Sequence, residues 1–419
     1  MLRSILPVLL ALALLSGCAA PAPQIALATP TTANQAEPAA TLTPLTVLAP
    51  SPTAEVIQPT AETEPTAPPA PESQAGSIAY SGADGNVWLV NPSSGEMKQL
   101  TQDAAPSINP NTTAPVDYCC MEWSSDGRLL AFYRQAGTPV EQGMQFAYSL
   151  WVYDAASGET RLLLDQQSIT GFAWKPLTHL IAYGLPVEPN YFVSRGGVAA
   201  ELARGIAAVD ADSGAVLELV KPERGFTLVN PNWSPDGRFV SFEEVLYMEG
   251  RGSFAYYDLE EQKYTSWEKP IGGYDWSPDS AAVVYDTLTY APSGTERIFR
   301  SSREGADEQP LSPDFEPGYA FSPVYAPQGD WVAYLAELGD PSNSQYKLFV
   351  QSSQDGEPRE LGTFEQPGYL GWSPDGQSLV LGVGPFGSDT RQIVIVSAAD
   401  GSVKPLVKGS EPAWQPAVP

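Results

Sequence analysis

The chain has 419 residues and a formal net charge of −27. A surface this acidic repels nucleic acid and anionic headgroups at long range, so a nucleic-acid partner is not expected. Three cysteines and one histidine are too few for a disulfide framework and leave no evident zinc site, so no metal or cofactor is expected.

Residues 1–17 read as an export signal: Arg3 gives a positive start, and Ile5 to Leu15 form an apolar core too short to span a bilayer comfortably. The segment Leu15-Ser16-Gly17-Cys18 resembles the lipobox of bacterial lipoproteins. That resemblance implies cleavage before Cys18 and a lipid on its sulfur. The alternative is an ordinary secretory signal with an unrelated cysteine. Ala19, not Asp, follows Cys18, so nothing resembles an inner-membrane retention signal. The expected location is the outer face of the cytoplasmic membrane or the outer membrane, in the cell envelope. Residues 18–75 are rich in Pro, Ala and Thr and hold no aromatic residue and no Lys or Arg. This composition predicts a disordered, extended linker.

From Gly76 onward one phrase recurs, with a period of about 49 residues. An inner strand (A) ends in an aromatic turn, and two short apolar strands (B and C) and an outer strand (D) follow. The clearest turns are Trp233-Ser234-Pro235-Asp236-Gly237, Trp276-Ser277-Pro278-Asp279-Ser280 and Trp372-Ser373-Pro374-Asp375-Gly376. Looser copies begin at Trp123, Trp174 and Tyr325, and a truncated one stands at Trp414. Pro presets φ, Asp bonds nearby backbone N–H groups, and Gly accepts the left-handed conformation. Tyr325 replaces Trp in one copy, and Trp174-Lys175-Pro176 lacks Asp-Gly, so those two turns should be less regular. A unit of this length cannot bury its own apolar face and must stack on its neighbours. The first copy lacks strand A and the last lacks strand B. The C-terminus is therefore expected to supply the inner strand beside residues 77–101. The prediction is an all-β, seven-bladed propeller over residues 76–417, closed by a C-terminal inner strand.

These turns resemble the TolB-type, WD-repeat-like propeller family, in which Trp-Ser-Pro-Asp-Gly precedes an apolar strand. The resemblance covers residues 77–416 and implies a fold, not a ligand. TolB itself carries an α/β domain before its propeller, a place taken here by the linker. Identity with TolB is therefore not expected.

Catalytic groups are sparse, and no catalytic residue is assigned. His179 is the only histidine, no Gly-x-Ser-x-Gly elbow occurs, and no Gly-rich phosphate loop opens a helix. Asp236, Asp279 and Asp375 repeat around the ring and read as turn formers. Asp210 and Asp212 read as a solvated turn, with a calcium site as the alternative. The vicinal pair Cys119-Cys120 would make a strained bridge; otherwise it is two partly buried thiols. The B–C connections are long and unlike one another, and varied loops on a repeated scaffold are where recognition usually resides. They carry the candidate ligand-binding residues Tyr191, Phe192, Arg195, Tyr247, Arg251, Tyr290 and Phe386, with Phe146, Arg134, Arg204 and Arg297 beside them. The leading expectation is a monomeric, non-catalytic scaffold binding a protein, peptide or glycan of the envelope. The alternatives are a carbohydrate-active hydrolase or lyase using Glu243, Glu244 or Asp286, and a purely structural surface protein.

Overall fold

In the computed structural model, the described residues are 76–105, 114–140, 143–165, 169–185, 203–223, 226–245, 252–287, 297–340 and 343–417. The signal, Cys18 and the expected linker lie outside them. All the described elements are strands. The first are β1 (Ile78–Gly82), β2 (Val87–Val90) and β3 (Met97–Gln99). Five four-stranded antiparallel sheets follow in chain order. The first sheet is β4 (Val116–Trp123), β5 (Leu129–Val140), β6 (Gly143–Asp154) and β7 (Thr160–Leu164). The second is β8 (Phe172–Trp174), β9 (Leu180–Gly184), β10 (Ile206–Asp210) and β11 (Val216–Val220). The third is β12 (Thr227–Trp233), β13 (Phe239–Val245), β14 (Ser253–Asp258) and β15 (Lys263–Pro270). The fourth is β16 (Tyr274–Trp276), β17 (Ala282–Asp286), β18 (Ile298–Ser302) and β19 (Gln309–Pro310). The fifth is β20 (Gly318–Tyr325), β21 (Trp331–Leu338), β22 (Gln345–Ser352) and β23 (Arg359–Phe364). The chain ends with β24 (Gly368–Trp372), β25 (Ser378–Val383), β26 (Gln392–Ser397) and β27 (Val403–Trp414).

The fold is an all-β propeller, but the expectation of seven blades is corrected: five separate four-stranded blades are present. The remaining strands fuse into one seven-stranded sheet in the order β24-β25-β26-β27-β1-β2-β3. The cause is β27. Its first half pairs with β26 (Val396 opposite Val403, Gln392 opposite Lys408) and its second half pairs with β1 (Gly82 opposite Gly409, Ile78 opposite Trp414). The sequence suggests a break between an outer strand and the next inner strand. Lys408-Gly409-Ser410 makes no such break, so one ladder runs through. A second difference lies in the B–C connection after β5, expected as a loop: β5 and β6 are long strands that pair from Leu129–Asp154 to Val140–Gly143.

The turn chemistry explains the regularity. Ser124, Ser234, Ser277 and Ser373 each donate Oγ–H to the Asp two residues on, at 2.5–2.6 Å. Each also accepts the backbone N–H five residues on, at 2.9 Å. Gly127, Gly237 and Gly376 sit at φ 67–68°. The Tyr325 turn, expected to be irregular, keeps the same backbone pattern. Gly329 N–H bonds Ala326 O at 2.8 Å, as Gly237 bonds Ser234. The Trp174 turn does depart, with the 89% exposed Leu177 at φ 60°.

Trp123, Trp174, Trp233 and Trp276 are buried between neighbouring sheets. Their indoles reach across the joints: Trp174 Nε1 donates to Glu122 O at 2.9 Å and Trp276 Nε1 to Ser241 Oγ at 2.9 Å. Carboxylates act as a second set of staples. Glu122 accepts from Trp174 N (3.0 Å) and Asp275 from Tyr325 N (2.8 Å). Burial raises both carboxyls to about 7, against the pull of those hydrogen bonds.

Candidate functional site

Six inner strands carry a left-handed residue three positions before the aromatic; β16 does not. Cys120, Gly171, Asn230, Ser322, Tyr369 and Glu411 occupy this position with φ between 50° and 88°. The left-handed conformation costs an ordinary residue roughly 1–2 kcal/mol. Here that cost recurs with very different side chains. Cys120, Asn230, Ser322 and Tyr369 are exposed, while the residue after Cys120, Asn230 and Ser322 is buried. The left-handed residue therefore turns Cys120, Asn230, Ser322 and Tyr369 out of the packed layers. Neighbouring copies touch at this level: Ser322 N donates to Asp286 Oδ2 (3.1 Å), Cys120 N to Glu411 Oε2 (2.7 Å) and Asn230 N to Thr170 O (2.7 Å).

The densest chemistry lies where the last copies meet the first. Tyr369 Oη donates to Glu411 Oε1 at 3.1 Å. Burial and the Glu411 charge both push the Tyr369 hydroxyl upward. Tyr369 packs edge-to-face on Phe386 at 6.4 Å, and the two are 48% and 59% exposed. Beneath Phe386, 4.0 Å from its ring, lies the guanidinium of the buried Arg391. Arg391 donates to the carbonyls of Gln366 and Gly382, each at 3.0 Å, and to that of Gly384. Burial lowers its pKa. Gly368 makes room for this stack, since a Cβ there would meet Phe386 at 3.1 Å and Arg391 at 3.3 Å.

Cys119 and Cys120 complete the cluster. The left-handed Cys120 turns both sulfurs to one side, 2.6 Å apart. Their contact and burial hold the Cys119 thiol up, and the same contact lets Cys120 ionise more readily. Beside Cys120 lies a mainly apolar cavity of about 330 Å³, bounded also by Tyr133, Ile169 and Phe172. A second cavity of about 580 Å³ shares Glu122 and Phe172 with it and is lined by Asn230, Glu243 and Tyr274.

Of the residues singled out for binding, Phe386 is placed at this cluster. Tyr191, Phe192, Arg195, Tyr247, Arg251 and Tyr290 lie outside the described residues. Phe146 lies on the β5–β6 hairpin against Tyr148. Arg134 is engaged with Asp103 (2.8 Å) and Arg297 with Ser312 O (2.8 Å), so both serve the scaffold. Among the acidic alternatives, the buried Glu244 accepts from Tyr264 (2.8 Å) and Ser266, and Asp286 from Gly273 N (3.1 Å) and Ser322 N (3.1 Å). Glu243 faces a cavity, with Asn230 Nδ2 at 3.0 Å. His179 lies between Asp212 (2.7 Å) and Asp126 (3.1 Å), where these bonds raise its pKa despite partial burial. Asp210 closes its own turn through Ser213 at 2.7 Å. Tyr369, Arg391 and Glu411 escape a reading of the sequence. Glu411 stands 291 positions from Cys120, and only ring geometry joins them.

Comparisons with known proteins agree on the fold. No protein-family model matches the chain. An oligogalacturonate lyase from Vibrio parahaemolyticus superposes with a TM-score of 0.54 at 11% identity, over 80% of this chain and 86% of that one. A prolyl endopeptidase superposes with a TM-score of 0.53 at 17% identity, over 80% and 50%. TolB from Acinetobacter baumannii is similar over 81% and 82%, at 18% identity and a TM-score of 0.46. Among curated proteins, dipeptidyl-peptidase 5 of Aspergillus fumigatus is 28% identical over 155 residues, 32% of this chain. The match spans 21% of that relative's own length. The class defined is a β-propeller, from the sheet topology and from the two superpositions above 0.5.

Proposed function

We propose that the chain is a cell-envelope lipoprotein, anchored through Cys18, whose propeller binds a protein, peptide or glycan partner without transforming it. The observation that supports this is the exposed Tyr369–Phe386 pair, held from below by the buried Arg391. Large aromatic faces with little rotational freedom gain contact area at low entropic cost, and they serve sugar rings and peptide side chains alike. The same reading takes in Tyr191, Phe192, Arg195, Tyr247, Arg251 and Tyr290. The test is binding of the purified chain to arrayed envelope glycans and peptides. Tyr369→Ala with Phe386→Ala is expected to weaken the selected ligand at least about tenfold. Unchanged affinity would count against this face.

One observation favours an enzymatic second reading. Glu243 and Glu122 line one cavity, and the Glu122 carboxyl, raised to about 7, retains a large share of its proton near neutrality. An acid and a base in one cavity suit a hydrolase or lyase. Turnover of glycans by the purified chain, abolished by Glu243→Gln, would establish it. Absence of turnover across a broad glycan panel would dismiss it.

A further inference from the structure

We propose that Cys119, Cys120 and Glu411 form a binding site for one thiophilic d¹⁰ cation, with zinc as the probe. In a regular strand, successive side chains point to opposite faces. The left-handed bulge at Cys120 cancels that alternation, so adjacent cysteines offer both sulfurs to one point. The third donor comes from β27. One ligand atom each from Cys119, Cys120 and Glu411 lie within 4.8 Å of one another. Zinc bonds sulfur at about 2.3 Å and carboxylate oxygen at about 2.0–2.2 Å, so tetrahedral ligands stand about 3.3–3.8 Å apart. The trio therefore falls at chelating range. Loading would spread the sulfurs from 2.6 Å by roughly 1 Å. Rotation about the Cα–Cβ bond of the exposed Cys120 can supply that movement.

The surroundings are those of a supported ligand set. Tyr369 Oη fixes Glu411 Oε1 at 3.1 Å and Cys120 N–H fixes Oε2 at 2.7 Å, which orients the carboxylate toward the sulfurs. Each oxygen keeps a further lone pair for a cation. Two thiolates and a carboxylate would bring three negative charges together in an already acidic chain, and a divalent cation offsets most of that repulsion. Three protein donors leave the fourth tetrahedral position open to water or to a basic atom of a ligand.

The test uses the purified chain, reduced with a phosphine, freed of metal, and titrated with Zn²⁺ against a competing chelator dye. Cd²⁺ reports sulfur ligation through its charge-transfer absorbance. The expected result is one ion per chain. Cys120→Ser and Cys119→Ser should abolish the charge-transfer band. Glu411→Gln and Tyr369→Phe should weaken zinc by on the order of tenfold to a hundredfold. Thermal melts of each variant show that folding is intact, and bound zinc should protect both thiols from alkylation in the unaltered chain. The proposal is overturned by a reduced chain that takes up no zinc. Equal uptake by the Cys119→Ser, Cys120→Ser double variant would overturn it too, as would a pair that stays disulfide-bonded under reductant.

Discussion

At the A–B turns, Ser124, Ser234, Ser277 and Ser373 make the same two bonds, to an Asp and to a backbone N–H, in copy after copy. At the inner-strand bulges the backbone repeats equally well, but the side chains are Cys120, Asn230, Ser322, Tyr369 and Glu411. The turns repeat residue and geometry together. The bulges repeat geometry alone. Where chemistry repeats with shape, it serves the shape. Where shape repeats under changing chemistry, the side chains are available for other work. Under the proposed function, stability belongs to the turn rim and recognition to the bulges, although both lie on the same inner strands.

The largest effect should come from breaking a joint between sheets. Trp276 is 2% exposed, and its Nε1 bonds the buried Ser241. Trp276→Ala is expected to cost about 3–5 kcal/mol in urea denaturation. A loss under 1 kcal/mol would mean that the indole does not hold the joint. The next effect concerns pH. The folded chain holds the Glu122 and Asp275 protons more tightly than the unfolded chain does. Their contribution is therefore full below about pH 4 and is lost as pH rises toward 7. Glu122→Gln should flatten that fall in denaturation midpoints measured from pH 4 to 8. An unchanged slope would assign the fall to other groups. The smallest effect is a gain. Leu177 is exposed at φ 60°, so Leu177→Gly should stabilise the chain by about 1 kcal/mol. Destabilisation would show that the Leu177 side chain has a packing role.

The propeller class was legible because Trp-Ser-Pro-Asp-Gly specifies a turn by local chemistry, and local chemistry is what a sequence displays. The blade count was not. Whether Lys408-Gly409-Ser410 bends or stays extended depends on β1, more than 300 positions away, which offers a partner edge. The same distance hid the site. Phe386 was visible as an aromatic in a variable loop, but Arg391 beneath it reads as one more surface cation until its three carbonyl partners are seen. Tyr369 and Glu411 are ordinary strand residues by composition. Their left-handed backbone, which brings them together, leaves no mark that Gly or Asn would have left.

The contrast between rim and bulge is tested most directly by measuring stability and ligand affinity side by side in two variants. Ser234→Ala should lower stability by about 1–3 kcal/mol, since it strips a buried partner from Phe239 N and Asp236, and should leave affinity unchanged. Tyr369→Ala with Phe386→Ala should leave the denaturation midpoint nearly unchanged and reduce affinity at least about tenfold. The opposite pattern, with affinity lost at the turn and stability lost at the bulge, would contradict this division of labour.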